Sequence, residues 1–355
     1  MHASLIAVEY HLPTLVMGND EVARLATNWT PDKILQKTGI AERHIAAVDE
    51  CSSDLAFHAA EKLFATGICA RDEIDFVLFC TQSPDYLLPT SACLLQDRLN
   101  LRTGIGALDF NLGCSGYIYG LGLAQGLIET GQARNVLFLT GETYSKFLRD
   151  GDVGVRSLFG DAGSATLIGG IDTDRPLMGP YVYGTDGKGA ANLILKRHSL
   201  RSAGNSAAQS KQRSALLQSD QAEAKSDHSI PPTEQDPYLY MNGPEIFSFA
   251  LEAVPRAVSD LLNQAGLTQD DIDLFVFHQA NEFMLNRLQA KLQIPHDRFV
   301  LALKEYGNTV SSTIPIALQT ALSDGRIKPG MQVMLVGFGV GYSWGATLLR
   351  FVSRT

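Results

Sequence analysis

The sequence predicts an α/β protein in which two similar halves each contain a sheet covered by helices. Helical and strand patterns alternate along the chain, and the strands are almost continuously apolar, as in sheets buried on both faces. Two pairs of stretches also read as copies of one another. Residues 71–80 (RDEIDFVLFC) parallel residues 269–278 (QDDIDLFVFH), and residues 135–145 echo residues 332–343. We therefore expect an internal duplication.

Polar residues that interrupt the copies fall at matching places. Residues 107–114 (ALDFNLGC) parallel residues 302–308 (ALKEYGN), so that Cys114 matches Asn308, and His278 ends the later of the two duplicated strands. Equivalent strand ends of a duplicated unit meet across a pseudo-twofold axis. We therefore expect Cys114, His278 and Asn308 to converge, although they lie far apart in sequence.

The individual elements follow from their periodicity. Stretches with helical apolar spacing are predicted as helices, and short continuous apolar runs as strands. In the first half the predicted helices are 52–66, 92–100 and 115–129, and the strands are 74–80, 105–110, 136–140 and 165–169. In the second half the helices are 245–265, 282–292 and 312–322, and the strands are 274–277, 299–302, 333–337 and 346–352.

We divide the chain into three parts. Residues 1–170 form the half that carries the cysteine, residues 171–240 form a connecting segment, and residues 241–355 form the half that carries the histidine and asparagine. Within the connecting segment, residues 198–236 are rich in Ser, Ala, Gln and charge and poor in aromatics, which indicates a surface insertion. A passive linker is the simpler interpretation, and a lid at the junction of the halves is the alternative.

Composition excludes several classes of protein. The chain has 355 residues, of which 45% are hydrophobic and 19% charged, as is ordinary for a globular enzyme. Its formal net charge of −9 argues against a nucleic-acid partner. The N-terminus lacks a cationic stretch before an apolar core, and no apolar run of about eighteen residues occurs, so we expect neither a secretory signal nor a membrane span. The five cysteines fit no zinc spacing, and we expect reduced thiols in the cytoplasm.

Cys114 is the candidate nucleophile. It precedes a Gly-rich apolar helix, so its thiol is expected at a helix N-terminus, where backbone N–H groups and the helix dipole favour the thiolate. Small residues at 113 and 116 would let a substrate carbonyl approach and let the Cys114 N–H donate to its oxygen. The alternative is a buried structural cysteine on a glycine-packed helix, and the local residues favour neither.

His278 and Asn308 are candidates to act with Cys114. His278 begins a polar cluster (HQAN) at the carboxyl end of a strand, where α/β sheets bind ligands, and a core histidine is the alternative. Asn308 could cap the following helix, or donate N–H to a developing negative oxygen without titrating. Residues 337–341 (GFGVG) follow a strand and precede no helix, which favours a turn beneath the site over a phosphate loop.

These residues resemble the β-ketoacyl-[acyl-carrier-protein] synthase III family of thiolase-fold condensing enzymes. The resemblance covers nearly the whole chain apart from the insertion, and its motifs are in family order. The motifs are Thr38-Gly39-Ile40, Glu42-Arg43, Gly113-Cys114-Ser115-Gly116, Phe159-Gly160-Asp161, Met241-Asn242-Gly243, His278-Gln279-Ala280-Asn281, Tyr306-Gly307-Asn308-Thr309, Gly330, Gly337-Phe338-Gly339 and Trp344-Gly345. The resemblance implies a thiolase-like five-layered αβαβα fold and a homodimer. It implies no cofactor beyond the substrates, which are thioesters of CoA or of an acyl carrier protein.

The resemblance also implies a reaction. Cys114 takes an acyl group from a thioester while the backbone N–H groups of Cys114 and Val340 hold the oxyanion. A malonyl thioester then loses carbon dioxide, with His278 and Asn308 as neutral donors to the enolate oxygen. The carbanion attacks the acyl-cysteine to give a 3-oxoacyl thioester, in fatty-acid or related secondary-metabolite biosynthesis.

Further positions are assigned by the same resemblance. Leu88 matches a residue that closes the acyl pocket of the partner subunit, and Phe159, Asn281 and Phe338 are expected to contact substrate. We expect these residues to set the acyl chain length sterically. Val340 replaces a usual glycine, which a backbone donor tolerates only if its φ stays negative.

Two family signatures are altered. The tryptophan and arginine that usually sandwich the CoA adenine fall on Lys33 and Val153, which puts acyl-CoA in question as the primer. A basic carrier-docking position falls on Phe283. Lys291 remains, and Arg287 lies one turn before it on the same predicted helix, so these two cations are expected to bind an acidic carrier protein.

Other functions are weighed against this one. A biosynthetic thiolase needs a second cysteine near the last Gly-rich turn, and no cysteine follows Cys114. A type III polyketide synthase carries a proline after Gly-Phe-Gly, which is lacking here. An acyltransferase to oxygen or nitrogen, without decarboxylation, is the main rival, although it needs a base more than two donors. A non-catalytic acyl-binding partner in a heterodimer is the last alternative, and the intact Cys114 argues against it.

Overall fold

The computed structural model describes residues 1–196 and 236–352 of the chain. The strands are β1 (His2–His11), β2 (Leu15–Gly18), β3 (Glu42–Ile45), β4 (Phe76–Cys80), β5 (Gly106–Phe110), β6 (Asn135–Glu142), β7 (Ala162–Ile171), β8 (Met178–Thr185), β9 (Leu193–Leu195), β10 (Leu239–Met241), β11 (Leu274–Phe277), β12 (Gln332–Gly339) and β13 (Ser343–Arg350). The α-helices are α1 (Asn19–Ala23), α2 (Pro31–Thr38), α3 (Ser52–Ala65), α4 (Ser91–Arg98), α5 (Gly116–Glu129), α6 (Val153–Arg156), α7 (Gly243–Ala265), α8 (Glu282–Leu292) and α9 (Thr313–Ser323).

Two large sheets repeat one strand arrangement. The first has the order β1-β7-β6-β4-β5, and the second has the order β8-β13-β12-β11. In the first, β4 runs parallel to β5 and β6, while β7 is antiparallel to both β6 and β1. In the second, β11 runs parallel to β12, while β13 is antiparallel to both β12 and β8. The shared order confirms the predicted internal duplication.

Helices and sheets alternate in five layers. Helices α3 and α4 cover the outer face of the first sheet, and α7 with α8 covers the outer face of the second. Between the sheets lie α5 and α9, which contact both of them. Their apolar side chains form the main core with β4, β6, β11 and β12, because a helix hydrophobic all round is stable only when it is enclosed. The predicted thiolase-like five-layered αβαβα fold is confirmed.

Hydrogen bonds at the start of the parallel strands repeat the duplication atom by atom. The Asp75 carboxylate accepts from the Asn135 N–H at 3.0 Å, and the Asp75 N–H donates to the Asn135 carbonyl at 3.0 Å. In the second half Asp273 makes the same pair of bonds with Gln332, at 2.7 and 2.9 Å. These bonds fix the register of β4 against β6 and of β11 against β12, and both pairs of parallel strands lead to site residues at their far ends.

The predicted strand 299–302 is wrong. This segment meets β11 at a single bridge, between Phe275 and Phe299, and its pairing ends there. Beyond that bridge the backbone bonds to a side chain and not to a strand. The Gln279 amide accepts the Ala302 N–H at 2.8 Å and donates to the Val300 carbonyl at 3.2 Å. The backbone groups that a strand would have used are therefore satisfied by one glutamine.

Strands β1 and β8 were not among the predicted strands. They occupy equivalent antiparallel positions at the edges of the two sheets. β8 contains Gly179-Pro180, and a proline of this kind is confined to edge strands because it cannot donate to a ladder. β8 belongs in sequence to the connecting segment 171–240, yet it completes the sheet of the second half.

The chain enters and leaves the insertion through a short antiparallel pair, β9 with β10. The prediction for residues 198–236 falls outside the described residues, apart from Asp236. In the described ranges, no helix combines the length and the apolar character needed to cross a membrane.

Candidate active site

A cavity of about 370 Å³ opens between the two halves of the fold. Cys114, His278 and Asn308 all line it, so the structure places the three residues singled out from the sequence around one space. The remaining wall is almost entirely apolar. It consists of Leu158, Phe159, Leu193, Met241, Gly243, Pro244, Ile246, Phe247, Ala280, Asn281, Phe283, Met284, Phe338 and Gly339.

Cys114 lies two residues before α5 and is almost fully buried. Glycines of β12 allow this close packing. A Cβ atom on Gly339 would lie 2.8 Å from the Cys114 sulfur, and one on Gly337 would lie 2.8 Å from the Cys114 carbonyl oxygen. The Gly-Phe-Gly run therefore packs beneath the cysteine, as expected for a turn that supports the site.

Burial, and to a smaller extent the nearby carboxylate of Glu142, raise the pKa of the Cys114 thiol to about 12. Hydrogen bonds from the backbone N–H groups of Val340 and of Cys114 itself act in the opposite direction. These N–H groups thus favour the thiolate as expected, but burial and the charge of Glu142 outweigh them, so the net shift is opposite to the one expected from the helix start alone. The two N–H groups nevertheless point at the sulfur, and Val340 avoids the positive φ that a valine would resist.

Glu142 is a buried carboxylate at the end of β6 that the sequence interpretation missed. It accepts hydrogen bonds from the Ser311 hydroxyl at 2.8 Å, the Gln82 N–H at 3.1 Å and the Ser83 hydroxyl at 3.2 Å. Burial raises its pKa to about 8 despite these donors. An acidic residue at the end of the mainly apolar strand 135–142 was the signal that could have identified it.

His278 follows β11 directly, and its ring is buried in the cavity wall. Its Nδ1 lies 2.7 Å from the hydroxyl of Thr313, the first residue of α9, and this hydroxyl donates to the Val310 carbonyl at 3.0 Å. The Phe338 ring meets the imidazole edge to face at 5.4 Å. Burial lowers the pKa of His278 to about 3, so the ring is neutral at physiological pH and Nε2 faces the cavity as a neutral group.

Asn308 is oriented by the backbone that follows it. Its Oδ1 accepts the Val310 N–H at 2.9 Å, which leaves the amide NH₂ group for the cavity. Val310 has a φ of 56°, an unusual conformation for a β-branched residue and one found at sites that hold a side chain in place. Asn308 therefore presents a donor to the cavity, and it does not cap α9.

Gln279 links the strand that carries His278 to the segment that leads to Asn308. Besides its bonds to Val300 and Ala302, its amide donates to the Phe277 carbonyl at 2.7 Å. The side chain is buried, and one amide thus satisfies three backbone groups. Its place in the cluster HQAN was the available signal, although nothing in the sequence told which backbone groups it would meet.

The other predicted substrate contacts divide into two groups. Phe159, Asn281 and Phe338 line the cavity, and the Asn281 Oδ1 also caps α8 by accepting the Met284 N–H at 2.8 Å. Leu88 does not line the cavity of its own chain. Its side chain is 83% exposed, on a loop whose neighbours Tyr86 and Leu87 are also exposed.

The two predicted docking cations lie on α8, near the cavity mouth. Arg287 packs over the ring of Phe283 at 5.3 Å, and Phe283 stacks on Phe247 at 5.4 Å. Lys291 donates to the Leu251 carbonyl of α7 at 2.8 Å. Pro255, four residues later, has no N–H for that carbonyl, so Lys291 supplies the missing donor.

In the part of the chain that the structure describes, no cluster of His, Cys, Asp and Glu side chains is arranged to hold a metal ion.

The duplicated five-layer fold, with a cysteine facing a cavity between the halves, defines the thiolase-like condensing enzymes as the class. Comparisons with known proteins narrow this class. Residues 108–187 match the family model described as 3-oxoacyl-[acyl-carrier-protein (ACP)] synthase III, and residues 262–351 match the model of its C-terminal part.

Full-length relatives agree with the family models. The chain is 31% identical to a β-ketoacyl-[acyl-carrier-protein] synthase III of Caldanaerobacter subterraneus, over 98% of each chain. A crystal structure of a 3-oxoacyl-(acyl-carrier-protein) synthase III is 48% identical, with a TM-score of 0.89, over 99% of this chain and 100% of that one. The Thermus thermophilus β-ketoacyl synthase III structure is 34% identical, with a TM-score of 0.84, over 99% and 100% of the two chains. The chain belongs to the β-ketoacyl-[acyl-carrier-protein] synthase III family, whose members are condensing acyltransferases.

Proposed function

We propose that the chain acylates itself on Cys114 and condenses that acyl group with a malonyl thioester, releasing carbon dioxide and a 3-oxoacyl thioester. The observation that carries this proposal is the presence of Cys114, His278 and Asn308 around one buried apolar cavity, with the amide N–H group of Asn308 turned towards it. Family membership supports the reaction class, and the residue roles are our own assignment.

In the first half-reaction the Cys114 sulfur attacks the carbonyl carbon of an acyl thioester. The carbonyl oxygen becomes negative in the tetrahedral intermediate, and the N–H groups of Cys114 and Val340, which already point at the sulfur, stabilise it there. The carbon–sulfur bond of the donor then breaks, and the departing thiol takes up the proton that Cys114 gives up. The products are acyl-Cys114 and the free thiol of the carrier or of CoA.

In the second half-reaction a malonyl thioester occupies the cavity beside acyl-Cys114. Its carboxylate leaves as carbon dioxide, and the electron pair of the broken bond moves onto the thioester oxygen as an enolate. The Nε2–H of His278 and the amide of Asn308 donate to that oxygen. The enolate carbon then attacks the acyl carbonyl, the bond to the Cys114 sulfur breaks, and the sulfur takes up a proton from water.

Neutral donors suit this step better than a base does. With a pKa of about 3, His278 binds a proton too weakly to serve as an efficient general base near neutral pH. Nε2 carries the ring proton only when the Thr313 hydroxyl, 2.7 Å from Nδ1, turns its single proton to Nδ1 and away from the Val310 carbonyl, to which it donates at 3.0 Å. The ring is a weak base in either tautomer. This favours condensation over the rival transfer to oxygen or nitrogen, which requires a base to activate the acceptor.

The priming donor is proposed to be a carrier-protein thioester, because the place of the CoA adenine is filled from within. Trp29 packs on Val153 and Ile34 in a small apolar cluster. The ammonium groups of Lys33 and Lys37 lie over the indole ring at 5.1 and 5.0 Å. The indole is thus covered by the chain's own lysines, and it has no arginine partner at residue 153 to complete an adenine sandwich.

Nearby arginines are also engaged elsewhere. Arg149 pairs with Asp236 at 2.9 Å and packs over the Tyr238 ring. Arg156 donates to the backbone carbonyls of Arg149 and Leu148. Neither guanidinium is therefore placed to stack on an adenine without first breaking these contacts.

An acidic carrier protein is proposed to dock at the cavity mouth on α8. Arg287 is the stronger of the two predicted cations, since Lys291 is bound to the Leu251 carbonyl. The exposed ring of Phe283, at 51% accessibility, adds an apolar contact beside that charge. A carrier with an acidic and partly apolar helix fits this surface.

A homodimer is proposed from the exposed edge of the first sheet. β5 is the unpaired edge of the first sheet, Leu108 on it is 47% exposed, and the loop of Leu87 and Leu88 is exposed beside it. A free strand edge with an apolar surface is normally covered. A second copy would cover it and bring Leu88 towards the partner's acyl pocket.

All five cysteines are free thiols, which supports a reducing, cytoplasmic location.

The test is intact-protein mass spectrometry with acyl-carrier and acyl-CoA donors, with and without malonyl carrier protein. The wild type is expected to gain the acyl mass and to lose it again when malonyl carrier is added, with formation of the 3-oxoacyl product. Cys114→Ala should show no mass gain with any donor. Acyl transfer from Cys114 to an added alcohol or amine, without release of carbon dioxide, would replace this proposal by the rival function.

The same assay tests the donor. The double variant Lys33→Trp with Val153→Arg restores the two side chains of the adenine sandwich, and it should raise the rate with acyl-CoA relative to acyl-carrier protein. An unchanged ratio would contradict our account of the primer.

A further inference from the structure

Part of the cavity wall belongs to a buried apolar cluster that contains the nucleophile. Phe159 and Leu193 line the cavity and belong to this cluster with Cys114, whereas Tyr144 of the same cluster is not among the described residues that line it. The space behind the wall is filled by Tyr144, which is 4% exposed and belongs to the same buried apolar cluster as Cys114, Phe159 and Leu193. The tyrosine ring packs on Phe159 at a centroid distance of 5.2 Å.

Tyr144 is held in this position at its polar end. Its hydroxyl donates to the Gln82 Oε1 at 2.5 Å, and the Gln82 amide in turn donates to Asn111 at 3.2 Å. A Cβ atom on Gly113 would lie only 2.3 Å from the same Gln82 oxygen. The pair of Tyr144 and Gln82 therefore lies against the loop that carries Cys114, and a change of rotamer would leave the phenol hydroxyl unpaired in the interior.

The proposed reaction requires two groups at once. During condensation the malonyl thioester arm occupies the cavity while the primer is attached to the Cys114 sulfur. A volume of about 370 Å³ is at the low end for a small-molecule site, roughly 300–1,000 Å³, so one thioester arm takes most of it. The primer must therefore extend into the cluster behind Cys114, where close packing limits the number of methylene groups that fit.

We propose that Tyr144, fixed by Gln82, is the residue that limits the primer to a short acyl group, of about four carbons or fewer by the packing argument. The proposal rests on the proposed function, since it concerns the acyl group carried by Cys114. In this arrangement the tyrosine ring occupies the volume that the distal carbons of a longer primer would need.

The test compares Tyr144→Leu with wild type, using acyl-pantetheine thioesters of two and eight carbons. These donors share one arm and lack the adenine, so the choice between CoA and carrier protein does not enter. The initial rate of mass gain on the intact protein gives a ratio of the two-carbon to the eight-carbon donor. Tyr144→Phe removes the hydroxyl and keeps the ring, and Tyr183→Leu makes the same exchange at a tyrosine outside the cavity.

Wild type should prefer the two-carbon donor by about a hundredfold or more, since each misfit methylene in an apolar pocket is worth roughly tenfold or more. Tyr144→Leu should lower this ratio at least about tenfold, while Tyr144→Phe and Tyr183→Leu should lower it much less. A wild-type ratio near one, or equal ratios in Tyr144→Leu and Tyr144→Phe, would overturn the proposal.

Two further outcomes are informative. Acylation of Cys114 with an unchanged ratio in Tyr144→Leu overturns this inference alone, whereas no adduct from any donor in wild type overturns the proposed function as well. Circular dichroism melting checks folding of each variant. If Tyr144→Leu does not fold, Tyr144→Met, whose unbranched flexible side chain adapts to an irregular gap, takes its place with the same expected shift.

Discussion

Replacing Asn308 by aspartate keeps the shape of the side chain and reverses what it offers to the cavity. The Asn308 Oδ1 accepts the Val310 N–H, so the NH₂ group is the end available to the substrate. An aspartate in this position would still accept from Val310. Its second oxygen would face the forming enolate with lone pairs or a negative charge, where the wild type has a donor.

The expected loss can be stated for each half-reaction. Removal of one preorganised donor costs about 2.7–4 kcal/mol, or roughly 10²–10³ in rate, so Asn308→Ala should slow condensation by that factor. Asn308→Asp should be slower still, because it adds repulsion to the lost donor. Formation of acyl-Cys114 should be retained in both variants, since the oxyanion of that step is held by the backbone N–H groups of Cys114 and Val340.

The assay separates the steps by preforming the acyl-enzyme and then adding malonyl carrier protein labelled at the free carboxylate. Released carbon dioxide reports decarboxylation, and mass spectrometry reports loss of the acyl group. Asn286→Ala is the matched control, because Asn286 is an exposed asparagine of α8 outside the cavity. Condensation that is faster in Asn308→Asp than in Asn308→Ala would refute the donor role, as would loss of acylation together with condensation.

Three further predictions concern residues around this pair. His278 stays neutral above about pH 3, so decarboxylation by preformed acyl-enzyme should not fall between pH 8 and pH 5; a decline centred near the usual imidazole value of about 6.5 would contradict the lowered pKa. Glu142→Gln removes a charge that raises the pKa of Cys114, so iodoacetamide should label Cys114 faster at pH 9. At pH 6 the difference should vanish, because Glu142, with a pKa of about 8, is itself uncharged there. Gln279→Glu replaces the amide nitrogen that donates to the Val300 carbonyl by an oxygen that repels it. It should slow condensation up to about a hundredfold, and more than acylation, because a donor displaced by about 1 Å has that effect. Equal slowing of both steps in the assay described above would instead indicate a general loss of folding.

Local signals predicted those parts of the fold that local contacts determine. The predicted bounds of β11 and α8 agree with the structure, and α8 starts where Asn281 caps it. The strand predicted at 299–302 failed because a side chain, that of Gln279, satisfies the backbone of that segment. Such a substitution depends on a tertiary contact, which apolar alternation along the chain does not encode.

The candidate site divides in the same way. The duplication predicted that Cys114, His278 and Asn308 would meet, because it is a property of the chain order. It could not predict the pKa of Cys114, because burial and the charge of Glu142 arise only after folding. The role of Thr313 was equally hidden, since its contact with His278 joins the end of a strand to the start of a distant helix.

The two halves differ at the contact between the end of a parallel strand and the start of the helix that lies between the sheets. In the first half the end of β4 is Cys80, whose sulfur donates to the Leu112 carbonyl at 3.0 Å and lies where a Cβ on Gly116, at the start of α5, would come within 2.3 Å. In the second half the equivalent residue is His278, and the start of α9 is Thr313, which binds its ring. In the first half, therefore, Gly116 at the helix start faces the thiol of Cys80. In the second half the hydroxyl of Thr313 faces the imidazole of His278.

These paired differences explain how a symmetric scaffold supports an asymmetric reaction. Close packing of Gly116 on Cys80 brings the start of α5, and with it Cys114, tightly against the glycines of β12. The hydroxyl of Thr313 instead holds the imidazole of His278 at the cavity wall. Each half therefore needed changes at both the strand end and the helix start, because an imidazole at position 80 would collide with α5, and a thiol at position 278 would be too short to fill the space of the ring beside Phe338.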